Sequence, residues 1–494
     1  MTQYLLAIDQ GTTSTRACIY DEQQQLIATA QQSFNQSFPD LAWVEHDADE
    51  IWQSVLTVCR QALATAQLNA CDIAGLGISN QRETTVLWHK ITGDVIAPAI
   101  VWQDRRTLAY CETLKAQGLE NFIQTKTGLV IDPYFSASKI RWLLDHHPVA
   151  KALADQGLLA FGTIESFLVW RLTGGATHIT DVTNASRTLL MNIQTRQWDD
   201  ELLAVFNIPR SVLPTIVSNT GHFGETVPAL FGTAIAITGM AGDQQAAMIG
   251  EACIKPDTLK ATLGTGAFLM LNTGHRLIQS QCRLLTTIAY QVGDDFAYAL
   301  EGSVFNCGVA IQWLRDQLGL IQSAQETEAL ARSLSSNEGF YLVPAFTGLG
   351  APYWRSDVRA LCCGITRATT KAHFARGALE AVAYLLLAIK TAMEQEAALT
   401  ISEIRVDGGL TANAWLLQFL TDMLQVPLRK SASAEASCRG AALLAGIGAG
   451  LYENLAAATA GWQQALCVTP SMDAVTREQN IHGWQQALAK CIDA

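Results

Sequence analysis

Short apolar segments that end at glycine or aspartate recur along the chain: YLLAID (4–9), IAGLGIS (73–79), AIAITGM (234–240), LKATLGTG (259–266) and IRVDGG (404–409). Each predicts a strand running into a turn, because a short apolar run bounded by turn residues fits a buried strand. Between these segments the period changes. Phe374, Ala378, Ala381, Val382, Leu385 and Ile389 fall at spacings that collect their side chains on one face of a helix. Strands and helices mixed over 494 residues predict α/β domains whose sheets are covered by helices.

One arrangement occurs twice. An apolar strand, a turn of small and hydroxylated residues and a second apolar strand make up AIDQGTTSTRACIY (7–20) and again ATLGTGAFLML (261–271). Their separation by about half the chain implies two related domains, each with such a hairpin near its start. The length also exceeds what one core supports. No linker rich in proline, glycine or serine marks a boundary, which is placed near residue 250, giving domains 1–250 and 251–494.

Composition narrows the class. Hydrophobic residues at 49% and charged residues at 16% describe a globular chain. A formal net charge of -12 argues against nucleic acid as a partner, so any polyanion must be met locally. Asp9 interrupts the first apolar run, which leaves no secretion-signal pattern, and a cytoplasmic protein is expected. The longest uncharged apolar tract, GAALLAGIGAGLY (440–452), is too short to span a bilayer, and its glycines and alanines suit a helix packed closely on a neighbour. Twelve cysteines are scattered without a C-x-x-C pair, only Cys362 and Cys363 being adjacent, and read as reduced thiols, mostly in the core.

The stretch DQGTTSTR (9–16) brings in chemistry. Glycine and small hydroxylated residues let backbone N–H groups approach a phosphate, and Arg16 adds a fixed cation. By its letters alone it serves equally as a polar turn, as does LGTGAF (263–268), and the Walker A pattern is absent. A third turn, VDGGLTAN (406–413), joins a strand to a helix with Trp415, Phe419 and Met423 every fourth residue. Gly408 and Gly409 would let a flat ring lie on the backbone, with Asn413 beside it, or the glycine pair is simply a tight connection.

Together these turns resemble the nucleotide-binding architecture of actin, hexokinase and Hsp70. With WVEHDADEIW (43–52), GISNQRETTVLW (77–88), VWQDRRT (101–107), GLVIDPYFSASKIRWLLDH (128–146), TDVTNASRTLL (180–190), GMAGDQQAA (239–247), YALEGSVF (298–305) and VPAFTGLGAPYW (343–354), the chain resembles the FGGY family of sugar and polyol kinases over nearly its whole length. The resemblance implies two duplicated actin-like, ribonuclease H-like α/β domains with a nucleotide cleft between them.

By the same resemblance, Thr12, Thr13, Ser14 and Arg16 meet the phosphates of ATP from one side, and Thr265 and Gly266 from the other. Gly308, Gln312, Gly409 and Asn413 hold the adenosine, and Asp9 and Asp243 hold Mg²⁺. Such a hard ion takes one or two carboxylates together with phosphate oxygens. The acceptor, a small polyol with glycerol foremost, falls to Arg82, Glu83, Trp102, Tyr134, Asp243, Gln244 and Phe268. A carboxylate–guanidinium pair can bind adjacent hydroxyls that both donate and accept, although Arg82 and Glu83 on their own could be a surface ion pair. Asp243 is the expected catalytic base. The implied reaction is ATP-dependent phosphorylation of glycerol to sn-glycerol 3-phosphate, in a homo-oligomer, dimer or tetramer. A kinase for another small polyol or ketose is the alternative, and an actin-like nucleotide-gated assembly protein is the alternative from another class.

The chain also departs from the family. Some members carry, before GMAGDQQ, a loop with an arginine that binds fructose 1,6-bisphosphate or a histidine that is phosphorylated. The stretch PALFGTAIAIT (228–238) has no basic residue, and Ala229 stands at the histidine's place, so neither control is expected. Glu165, Cys362 and Gly377 are further differences.

Overall fold

The computed structural model describes residues 3–493 except 305, 356 and 434; Phe305, the last residue of YALEGSVF, therefore lies outside the described residues. Tyr4–Gln10 (β1) places Leu5 to Ile8 in the core and turns at Gly11, whose N–H donates to the Ser14 carbonyl at 3.0 Å. Ser14–Asp21 (β2) returns antiparallel, with Arg16 opposite Asp9, and Leu26–Ser33 (β3) continues outward. On the other side of β1, Ile73–Asn80 (β4) and Ile237–Gly242 (β5) add in parallel, so the order is β5-β4-β1-β2-β3. Sequence predicts the last of these from residue 234. It begins three residues later because Ala236 forms only an isolated bridge to Glu225.

A second sheet repeats this plan. Thr258–Leu263 (β6) and Ala267–Gly274 (β7) form the second hairpin; Leu285–Val292 (β8), Asp295–Val304 (β9), Glu403–Asp407 (β10), Leu428–Ser431 (β11) and Gln464–Val468 (β12) complete it. The order is β8-β9-β7-β6-β10-β11-β12. Its centre, β9-β7-β6-β10-β11, matches β3-β2-β1-β4-β5 in direction as well as order: antiparallel on the hairpin side, parallel on the other. The duplicated hairpins are thus the innermost strands of two related sheets.

Helices cover both. Ala48–Ala66 (α1) starts where the Asp47 carboxylate accepts from the Asp49 and Glu50 N–H groups, and it buries Ile51, Val55, Val58 and Ala62 in the first core. Asp243–Gly250 (α2) follows β5 directly, and Gly308–Asp316 (α3) follows β9. Lys371–Ala397 (α4) carries the apolar face read from the sequence into the second core, with Phe374 half-buried. Among the described residues α4 alone is long and apolar enough to cross a bilayer, but 83% of that window is buried inside the protein, as in a core helix.

Ala414–Leu424 (α5) covers the second sheet, whereas Ala436–Gly448 (α6), close behind it in sequence, lies on the first. There Cys438, Ala441, Ala442 and Ala445 pack on Leu5, Ala7, Cys18 and Tyr20. Glycines make the approach possible: a Cβ on Gly77 would stand 2.1 Å from the Ala441 carbonyl oxygen, and one on Gly440 would stand 1.8 Å from that of Ala246. The strands therefore divide between the two halves of the chain, while the helical layers do not. All twelve cysteines are free and seven are buried, as expected for core thiols.

Candidate active site

Two carboxylates distant in sequence come within electrostatic reach of each other where the parallel strands β1 and β5 of the first sheet end. Asp9, near the end of β1, accepts from the Ser79 hydroxyl at 3.1 Å. Burial, and then the nearby charge of Asp243, push its carboxyl up to about 7. Asp243 opens α2, takes the Gln244 N–H at 2.7 Å on its own Oδ1 and lies 3.3 Å from the Arg82 Nε. Burial raises its pKa while Arg82 and Lys260 oppose the rise. Two carboxylates that disfavour each other's charge suit a shared cation. Two oxygen-donor carboxylates are the protein share of the shell that a hard ion completes with phosphate and water; among the described residues no three histidine, cysteine or acidic side chains gather as a metal cluster.

Arg82 and Glu83 follow β4 and are buried, as are Arg187 and Glu301, all four being no more than 3% exposed. Arg82 grips Glu301 with both ends of its fork, at 2.6 and 3.1 Å, and touches the Gln245 amide oxygen at 3.3 Å. Arg187 bridges the two acids, donating from Nε to Glu83 at 2.6 Å and from Nη2 to Glu301 at 3.0 Å. Glu83 holds a left-handed backbone, φ 60°, uncommon outside glycine and a form of strain found at functional positions. The surface ion pair is thereby excluded. Arg187 and Glu301 were not singled out from the sequence, although Arg187 is the one cation in the quoted segment TDVTNASRTLL and Glu301 the one charge in YALEGSVF.

Aromatic rings close this side. Trp102 meets Tyr134 edge-on at 5.7 Å and Phe268, from the second hairpin, at 6.3 Å. Its indole N–H donates to the Thr12 hydroxyl at 3.0 Å, tying the aromatic group to the first hairpin turn. Burial pushes the Tyr134 phenol far up, which keeps it neutral. Gln244 accepts from the buried Lys260 ammonium at 2.6 Å.

The hairpin turns differ in how free their groups are. The Thr13 carbonyl accepts from the Phe34 N–H at 3.3 Å, and the Ser14 hydroxyl accepts from the Gln31 amide at 2.9 Å. Arg16 forms an ion pair with Glu435, just before α6, and donates to Gln31 at 2.9 Å; a phosphate must share or displace these partners. In the second turn the Thr265 carbonyl accepts from the N–H groups of Cys307 and Gly308, at 3.0 and 2.9 Å, so α3 starts against it. Thr265 is exposed and Gly266 partly so. Gln312 is exposed on α3, and Gly409 is exposed with open space where a Cβ would stand. Asn413 is committed: its Oδ1 caps α5 at the Leu416 N–H, 2.9 Å away, and its amide donates to Thr327 at 3.2 Å.

Residues 4–250 match the FGGY family of carbohydrate kinases, N-terminal domain, and residues 259–449 its C-terminal domain. The chain belongs to the FGGY family of carbohydrate kinases. It is 51% identical over 494 residues to a glycerol kinase of Coxiella burnetii, covering 100% of this chain and 98% of that one. The crystal structure of Plasmodium falciparum glycerol kinase with ADP superposes with a TM-score of 0.93 at 35% identity, covering 99% and 98% of the two chains. A gluconate kinase of Lactobacillus acidophilus shares the fold, with a TM-score of 0.88 at 21% identity over 100% and 99% of the chains. The two related sheets are those of a two-domain FGGY kinase.

Proposed function

We propose that this FGGY kinase transfers the γ-phosphoryl group of ATP to glycerol, giving sn-glycerol 3-phosphate and ADP. Full-length relatives named glycerol kinase support the substrate. The observation that carries the chemistry is the place of Asp243, beside Arg82 and close enough to Asp9 to raise its pKa.

Glycerol lies against Trp102, Tyr134 and Phe268, whose rings cover its carbon edge, and hydrogen-bonds Arg82, Glu83 and Gln244. Asp243 orients one terminal hydroxyl and accepts its proton as the oxygen attacks the γ-phosphorus. Thr12, Thr13, Ser14 and Arg16 face Thr265 and Gly266 across the nucleotide phosphates, and Gly308, Gln312, Gly409 and the backbone at Asn413 line the adenosine. Asp9 and Asp243 would hold Mg²⁺, which neutralises phosphate charge when bound. The helix-capping role of Asn413 leaves its side chain little capacity for the base. Closure of the halves excludes water from the γ-phosphate.

The test is a coupled ADP-release assay over glycerol, erythritol and dihydroxyacetone, where glycerol should give the highest kcat/KM. An equal ATPase rate without any acceptor would favour an assembly protein instead. Asp243→Asn should lower kcat by roughly 10²- to 10⁴-fold with a smaller change in glycerol KM, as for a lost general base. Near-normal turnover would remove Asp243 from that role.

A further inference from the structure

We infer that Glu301 and Arg187 are positioning residues of the acceptor site, Glu301 reaching from the second sheet to set the guanidinium of Arg82. This rests on the glycerol-phosphorylating reading above. A guanidinium has five N–H groups. In Arg82 two go from Nη1 to Glu301 and Gln245 and one goes from Nη2 to Glu301, while Nε lies 3.3 Å from Asp243 without a hydrogen bond, which leaves the Nε–H and one Nη2 N–H for a hydroxyl. The fork to Glu301 therefore decides where those two donors point.

It also decides what Asp243 feels. Asp243 lies 3.3 Å from the Arg82 Nε, while Glu301 holds both terminal nitrogens. If Glu301 lost its charge, Asp243 would be the remaining carboxylate in ion-pair contact with Arg82 among the described residues, with Glu83 pulling from further off and itself held by Arg187. The guanidinium would turn toward Asp243 and occupy the oxygens meant for the acceptor proton. Glu301 thus works by competition, keeping the arginine off the base.

Arg187 fixes the arrangement from behind. It is wholly buried, lies with its guanidinium carbon 5.6 Å from the Tyr134 ring centre, and its Nη1 has no hydrogen-bond partner among the described residues. Burying a cation with an unused donor is costly unless its other bonds are strong. Its two bonds run to Glu83 and Glu301, so it spaces the acid of the acceptor pair from the acid that holds Arg82. Since Glu301 lies on β9, opposite Met270 of β7, the acceptor site of the first half is keyed by the second.

The experiment is a kinetic cycle on the full chain with Glu301→Gln, Arg82→Gln and the double variant, read as kcat and as KM for glycerol and for ATP separately. Glu301→Gln should lose about 10- to 100-fold in kcat/KM for glycerol, the scale of a misplaced reacting group, with the ATP KM within about twofold of wild type. The double variant should be no slower than Arg82→Gln alone, because Glu301 acts through Arg82. Additive losses, wild-type kinetics in Glu301→Gln, or an ATP KM that rises with that of glycerol would each overturn the assignment. Removing one charge of a buried pair can prevent folding. The charge-balanced Arg187→Gln/Glu301→Gln variant covers that case and should show the same selective loss; near-wild-type glycerol kinetics there would overturn it equally. Failure of the substrate reading is separate, because it would appear in the wild-type acceptor panel.

Discussion

Replacing Gly440 by alanine tests whether the helix pair beneath Asp243, the proposed base, is locked by backbone contact. The new Cβ would stand 1.8 Å from the Ala246 carbonyl oxygen. An ordinary carbon–oxygen contact is about 3.3 Å, so α2 and α6 would have to part by about 1.5 Å. No side-chain rotation relieves this, since the obstacle is backbone. A second lock lies nearby: a Cβ on Gly250, at the other end of α2, would stand 2.0 Å from the Ala436 carbonyl oxygen. Overpacking of this kind costs about 1–3 kcal/mol, and a backbone clash belongs at the upper end. At about 2–4 °C per kcal/mol for a domain of this size, Tm should fall by roughly 6–12 °C. Ala246 is one turn beyond Asp243, so the displacement also reaches the base. A shift near 1 Å costs on the order of 10²-fold, and kcat should drop accordingly. Differential scanning calorimetry and the ADP-release assay read the two effects. A Gly440→Ala enzyme with wild-type Tm and kcat would refute the lock.

Other outcomes follow from the same geometry. Gly409→Ala meets open space and should leave Tm unchanged, yet raise the KM for ATP several-fold; an unchanged KM would place the adenosine elsewhere. Trp102→Ala removes a ring from the proposed acceptor pocket together with the bond to Thr12, and should raise glycerol KM by about tenfold. Burial and then the Asp181 charge push the Glu165 carboxyl up to about 7 from its ordinary 4.5. An acid whose pKa is raised by folding contributes stability that is complete below pH 4.5 and is lost as pH rises through 7. In metal-free buffer, the Tm of the wild type relative to Glu165→Gln should therefore fall between pH 4.5 and 7; a difference that does not change with pH would show that Glu165 does not titrate there.

The strands were legible because an apolar run stopped by glycine or aspartate has few other uses, and the doubled hairpin announced the doubled sheet. What the letters could not carry was spatial. Glu301 and Arg187 stand in separate segments more than a hundred residues apart, and only folding brings them onto Arg82 and Glu83. The commitments of Arg16 to Glu435 and of Asn413 to its own helix are likewise invisible in a local motif. One signal was there to be read. Gly75 and Gly77 stand two apart on one face of β4, where alternation would normally place side chains, and this marks a close approach of other backbone.

That approach by α6 bears on how the two halves can exist apart. A chain ending at residue 250 would hold every strand of the first sheet, yet leave a bare glycine-floored groove where a helix backbone belongs. The remainder would carry that helix without the strands it packs on. Cutting there would yield complementary fragments that reassemble on mixing, each insoluble or unfolded without the other. Two sheets of one plan are thus joined through a helix that the later half lends to the earlier.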